Sequence, residues 1–351
     1  MNTSAVKSEI ARDETVILQA RDSIFGDQVF LCTRGRRHLL LSAERLVEIG
    51  FRWPEDLEQT SERMLRSFRP AGPLPSPAPV WPPVDSMGMR EWLATTLAGT
   101  GLEIGAGASP FPVPLHCRVL YGDRLSYEQL TAEPYPGQRK CDLVVPEILT
   151  EFDEISGVGD ESLDFLIACH VIEHTRNPIG SIAAAHRKLK PGGQLLLVIP
   201  DKEQTFDRDR PVTTLDHLLE DFHRPDRQRD LDHYREFYRL AFSVRQDILE
   251  ETARRNFVEE YAIHYHVWTH DTFAAMLAAL PATAGPWASV WTHPGVGDAS
   301  NEFYARLVKP DRQPPHATGS AAACSGVAPL GKPEAVPAST PAKGFFGKQC
   351  G

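Results

Sequence analysis

Residues 165–175 read FLIACHVIEHT and place His170, Glu173 and His174 in an H-x-x-E-H pattern. On a helix that spacing sets two imidazoles on one face, where they can hold a zinc ion. The reading therefore turns on whether the segment is helical. The preceding DFLIAC (164–169) is a short, unbroken apolar run, the mark of a parallel strand buried on both faces. Just beyond, Pro178 disfavours helix at Asn177. A helix starts near Pro178 and runs through GSIAAAHRKLK to Pro191-Gly192-Gly193. The motif thus straddles a strand end and a loop, the zinc geometry fails, and His174 and Glu173 are expected to bond loop backbone.

Similar strand-like runs recur at GLEI (101–104), RVLYG (118–122), DLVV (142–145), QLLLVIP (194–200), ASVWT (288–292) and FYARLVK (303–309). Most alternate with helical patterns. The last two are too close for a crossover helix and should pair antiparallel. The spacing predicts an α/β fold over 88–310, a doubly wound, mostly parallel seven-stranded sheet. Upstream, two short apolar runs flank Arg34-Gly35-Arg36, a hairpin signal, and a helix follows with Ser42 as N-cap and Gly50 as its stop. A small α+β unit is expected over 23–69, behind a flexible N-terminus (1–22). The proline-rich 70–87 reads as an extended linker, and 311–351, rich in Ala, Pro, Gly, Ser and Thr, as a disordered tail.

The 351 residues suffice for a large buried core. A net charge of −10 argues against a nucleic-acid partner, and no apolar run approaches the ~20 residues of a membrane span. Six cysteines without a C-x-x-C pair, and no apolar leader, point to a cytoplasmic protein with reduced thiols.

After the first strand of the sheet comes Glu103-Ile104-Gly105-Ala106-Gly107-Ala108-Ser109, and the second strand ends at Asp123. Glycines there let backbone turn tightly against a ligand, and a carboxylate at Asp123 can accept from ribose hydroxyls. A dinucleotide turn wants a third glycine and a helix N-terminus for the pyrophosphate. Here Ser109 and then Pro110, Pro112 and Pro114 follow. A diphosphate is poorly served, whereas a nucleoside such as S-adenosylmethionine has no such need.

LEIGAGAS, Asp123, LDFLIACHVIEHT and RKLKPGGQLLLVIP together resemble class I S-adenosylmethionine-dependent methyltransferases of the small-molecule type. The resemblance implies a Rossmann-like methyltransferase fold in which Glu103, Gly105, Ala106 and Gly107 line the methionine end of the cofactor. It also implies that Asp123 holds the ribose and that Cys169 and His170 face the cofactor. Where that family often has an acid for the adenine amine, this chain has Val145-Pro146. Glu147 or a backbone carbonyl is left for that contact.

Some seventy residues separate the fifth strand from a helix near Thr269. Leu215, Leu218, Leu219 and Phe222, then Tyr234, Phe237, Tyr238 and Ala241, follow helical spacing, which predicts a helical cap over 203–266. The cap and its approach carry Asp201, Asp207, Asp209, His217, His223, His233, His264 and His266. Asp201, directly after the fifth strand, and His266 are the candidate catalytic residues; no metal site is assigned. The expected reaction is methyl transfer to an oxygen of a polar small molecule or glycan. A noncatalytic cofactor-binding module and an NAD(P)-dependent oxidoreductase are the alternatives, and the sequence leaves a homo-oligomer open.

Overall fold

A computed structural model describes residues 15–48, 50–76, 79–132, 139–297 and 300–312. The tail expectation therefore lies almost wholly outside the described residues. An amino-terminal sheet holds β1 (Val16–Gln19), β2 (Val29–Thr33), β3 (Arg36–Leu39), β4 (Leu57–Gln59) and β5 (Arg69–Ala71), in the order β4-β1-β2-β3-β5. Its helices are α1 (Ala43–Glu48) and α2 (Glu62–Ser67). The hairpin forms around Arg34 and Gly35, whose φ of 50° and 72° suit a two-residue turn. Two boundaries differ from expectation. β1 falls inside the stretch expected to be flexible, because Ile17 and Leu18 bury into separate apolar clusters. β5 takes the start of the proline-rich stretch and pairs with β3 from the sheet's edge, where Pro70 is tolerated.

The larger sheet is preceded by α3 (Ser86–Ala94) and built from β6 (Thr100–Ile104), β7 (Arg118–Asp123), β8 (Ile148–Leu149), β9 (Leu163–Cys169), β10 (Leu189–Pro200), β11 (Ser289–His293) and β12 (Glu302–Val308). The order is β11-β12-β10-β9-β6-β7-β8, parallel except for β12, which runs antiparallel to both neighbours. This is the expected seven-stranded, mostly parallel sheet. Between these strands lie α4 (Tyr127–Ala132), α5 (Pro178–Lys188), α6 (Leu215–His223), α7 (Arg227–Glu236), α8 (Gln246–Val258) and α9 (His270–Ala278).

β9 shows why the sheet is covered on both faces. Leu166 and Ala168 join one core with residues of α5 and α9, while Phe165 and Ile167 join another with residues of α3. That is the period-two alternation of a strand.

The third strand is misplaced by the sequence. Leu143 and Val144 are buried, yet they follow a 3-10 turn and lie outside the sheet. The Val144 N–H donates to Gly107 O at 2.9 Å, so this apolar pair supports the glycine turn. Pro146 has no N–H to give a ladder, and pairing with β7 starts only at Ile148. The cap forms as α6, α7 and α8, with a π turn over Phe237–Ala241. Leu231, Tyr234, Phe237, Leu249, Ala253 and Ile263 give it a core of its own. No helix among the described residues is long and apolar enough to cross a membrane.

Candidate active site

At the carboxyl edge of the sheet, Gly105 and Gly107 adopt φ of 70° and 52°, in the left-handed region. A Cβ on Gly105 would meet Val171 Cγ2 at 2.7 Å, so the loop after β6 rests directly on the loop after β9. Ala106 between the glycines is buried. Glu103 is fully buried; the Phe111 N–H donates to its Oε1 at 2.7 Å, and its Oε2 has no partner among the described residues. Burial pushes its carboxyl up to about 8. Asp123 ends β7 with Oδ1 accepting the Leu125 N–H at 2.9 Å, and burial raises its carboxyl above the ordinary value. A turn carrying only one methyl side chain, an orphaned buried carboxyl oxygen and a second carboxylate one strand over suit a nucleoside carrying a polar amino-acid end. Glu147 is drawn elsewhere: it pairs with Arg36 of the amino-terminal sheet at 3.1 Å.

At the end of β9, burial raises the Cys169 thiol. His170 takes φ 52°, a conformation costing a side-chain-bearing residue roughly 1–2 kcal/mol. Two bonds hold it there: its N–H donates to Val198 O at 2.8 Å, and its Nε2 lies 2.9 Å from Glu302 Oε2. Arg90 donates to both oxygens of Glu302, at 3.0 and 2.6 Å, and the Tyr304 hydroxyl donates to Oε1 at 2.8 Å. Burial alone would raise the Glu302 carboxyl, but His170 and Arg90 outweigh it and hold it at about 2.

The remaining motif residues form a 3-10 turn, Ile172–His174, as the strand-end reading requires. His174 Nδ1 bonds Ile263 O at 2.8 Å, the expected loop contact. Glu173 bonds differently from expectation: its backbone O accepts from Tyr265 N at 2.7 Å, while neither carboxylate oxygen has a hydrogen-bond partner among the described residues, Oε1 lying 4.0 and 3.9 Å from the His170 and His174 rings.

His174 also lines a cleft of about 570 Å³ under the cap, with Phe206, Phe237, Tyr238, Phe242 and His264, and with Arg255 and Asn256 as polar lining. The Phe206 ring lies 4.8 Å from His264 and 5.8 Å from Phe242. His264 Nδ1 lies 2.5 Å from Asp207 Oδ2. Arg210, its side chain fully buried, donates to Asp207 Oδ1 at 2.9 Å and to His264 O at 2.8 Å. Burial would raise the Asp207 carboxyl, but His264 and Arg210 prevail and hold it below the ordinary value. Burial also lowers the neighbouring His174 imidazole below its ordinary value.

Residues 69–279, well over half of the chain, match the sequence model of a family described as "Methyltransferase domain". The chain belongs to this methyltransferase family. Its cofactor is S-adenosylmethionine, and the NAD(P) alternative falls away. Among solved structures, a Thermotoga maritima protein described as an S-adenosylmethionine-dependent methyltransferase, possible histamine N-methyltransferase, is 18% identical, with 63% of this chain and 88% of that one covered at a TM-score of 0.35. An S-adenosylmethionine-dependent methyltransferase from Aquifex aeolicus is 14% identical, with 60% and 81% covered at a TM-score of 0.30. Likeness at these scores decides nothing; the family match does. No curated protein matches the chain in sequence.

The methyltransferase thus gathers Glu103, Gly105, Ala106, Gly107, Asp123, Cys169 and His170 along one edge of its sheet. Neither of the two candidate catalytic residues lines the cleft. Asp201 caps a 3-10 turn, its Oδ1 accepting Glu203 N at 2.9 Å. His266 is fully buried among His217, His233 and Trp268. Sequence reading missed the Asp207–His264 pair. Both residues stand in the crowded cap, but nothing local joins positions 57 apart.

Proposed function

We propose that this methyltransferase methylates a hydroxyl oxygen on a ring-bearing polar small molecule or glycan held in the cleft, with His264 as the base. The observation carrying this is the buried Asp207 carboxylate aligned on His264 Nδ1 in the wall of an aromatic cleft. Bound S-adenosylmethionine supplies an electrophilic methyl group with its own leaving group. The protein's task is then to orient the acceptor and take its proton. Asp207 fixes the Nδ1–H tautomer of His264, which leaves Nε2 as the acceptor of a hydroxyl proton. Phe206, Phe237 and Phe242 offer ring faces to a planar or sugar ring, and Arg255 and Asn256 offer donors to its polar groups. The 170–174 segment joins the two halves, since Val171 touches the glycine turn while His174 lines the cleft. His266 is enclosed and Asp201 lies off the cleft, so neither is given the base role here.

The test is acceptor screening with labelled methyl donor, followed by kinetics of His264→Gln and Asp207→Asn. Turnover should fall by about 10²–10⁴ in His264→Gln, with S-adenosylmethionine affinity by calorimetry essentially unchanged. A variant keeping most of its turnover would remove His264 from the role. Turnover only on amine or carbon acceptors would overturn the hydroxyl assignment.

A further inference from the structure

The cap holds a second cluster of chemistry-bearing side chains that the methyl-transfer reading does not use. His217 and Asp221 lie on α6, four residues apart and hence on one face; His233 comes from α7, and His266 from the segment leading to α9. One ligand atom from each lies within 4.8 Å of the others. His217 Nε2 is 3.2 Å from His233 Nε2 and 3.1 Å from Asp221 Oδ2; His266 Nε2 is 3.8 Å from the same oxygen and 3.3 Å from the Arg176 carbonyl oxygen, a contact that a bound ion would replace.

We infer that His217, Asp221, His233 and His266 form a structural site for a divalent transition metal of the zinc class. A zinc ion 2.0–2.1 Å from four tetrahedral ligands sets them about 3.3–3.4 Å apart, and the three separations above bracket that edge. Hydrogen bonding among the side chains explains the cluster less well. A single proton on His217 Nε2 cannot serve both neighbours, which lie 3.2 and 3.1 Å away. Asp221 Oδ2 is buried without a hydrogen-bond partner among the described residues, an arrangement that costs about 1–3 kcal/mol unless an ion satisfies it.

The surrounding bonds are those that orient metal ligands. Arg229 Nε donates to Asp221 Oδ1 at 3.0 Å, leaving Oδ2 to the cluster. Asp221, His233 and His266 are buried and His217 is half-exposed, which gives an ion a way in. Four protein ligands close the shell, so the ion acts as a staple: it ties α6 and α7 to the segment that also carries His264.

The test uses the full chain without a polyhistidine tag. Elemental analysis should find about one zinc per chain, and chelation should lower Tm with recovery on adding zinc. Cobalt(II) refilling should give the visible bands of a tetrahedral N/O site. His233→Ala and the milder Asp221→Asn should each cut metal content at least several-fold, with circular dichroism checking that the variants fold. If His233→Ala fails to fold, Asp221→Asn and the cobalt spectrum of the unaltered chain decide. The proposal is overturned by a chain that holds no zinc or cobalt after incubation. It is equally overturned if metal persists in Asp221→Asn and leaves in His174→Ala, which would place it at the nearby Glu173, His174 and His264 group.

Discussion

Glu302→Gln isolates the charge at the centre of the bonding network at the end of β9. The substitution keeps the shape and removes the negative charge that Arg90 and His170 share at 2.6 and 2.9 Å. In the folded chain the carboxyl sits at about 2 against an ordinary 4.5, with its side chain only 5% exposed. That lowering corresponds to about 3 kcal/mol. Against burial, the Arg90 guanidinium is raised by Cys169 and by Glu302, and the Glu302 share is the same interaction, not a further one. A carboxyl depressed on folding stabilises fully above its unfolded value and loses that contribution as pH falls through its folded one. The stability gap between the wild-type chain and Glu302→Gln should therefore be about 3 kcal/mol at pH 7, narrow to about 2 kcal/mol near pH 3.5, and close below about pH 2. Urea unfolding of both proteins across that range measures it, at fixed ionic strength because exposed pairs elsewhere are screened by salt. A gap under about 1 kcal/mol at pH 7, or one that widens on acidification, would refute the picture of an ionised Glu302 clamping His170.

Gly105→Ala puts a Cβ into Val171 and a side chain at positive φ, so it should destabilise the chain by about 1–2 kcal/mol. It should also weaken S-adenosylmethionine binding about tenfold in calorimetry; unchanged affinity would separate this turn from the cofactor. Asp123→Asn should likewise weaken cofactor binding about tenfold with little change in Tm, whereas equal affinity would place the ribose elsewhere. Phe165→Ala empties a fully buried position between β9 and α3, and urea unfolding should show a loss of about 3–5 kcal/mol. A loss below about 1 kcal/mol there would mean that this face of the sheet repacks or is not the core described.

What could be read from sequence was local in origin. The buried strands announced themselves as apolar runs, and the glycine turn, Asp123 and the β9 end are each carried by a few adjacent residues. Three features were illegible for three physical reasons. β8 is two residues long and has no periodicity, whereas the more apolar Leu143–Val144 serves the glycine turn instead of the sheet. β1 is defined by partners on both sides, β2 and β4, and its own four residues carry little signal. His264 and His266 lie two residues apart, yet one meets Asp207 in the cleft wall and the other meets His217 and His233. Only the fold of the cap tells them apart. The i, i+4 spacing of His217 and Asp221 was readable on a predicted helix, but their partners on α7 and before α9 were not.

The H-x-x-E-H segment matters because it is not a helix. As a helix it would have turned His170 and His174 to one face and towards a single partner. Instead the chain leaves β9 extended, reverses at His170 through positive φ, and tightens into a 3-10 turn. That path sends His170 to Glu302 on β12 and His174 to Ile263 beneath the cap, with Val171 against Gly105 between them. The Glu173 carbonyl then receives Tyr265 N, one residue past His264. Five consecutive residues thereby touch the glycine turn, the last strand of the sheet and the cap wall. A methyl transfer needs donor and acceptor held in one frame, because misplacement of the reacting atoms by about 1 Å can cost on the order of 10²-fold in rate. On the function proposed above, that frame is a strand end whose two imidazoles diverge.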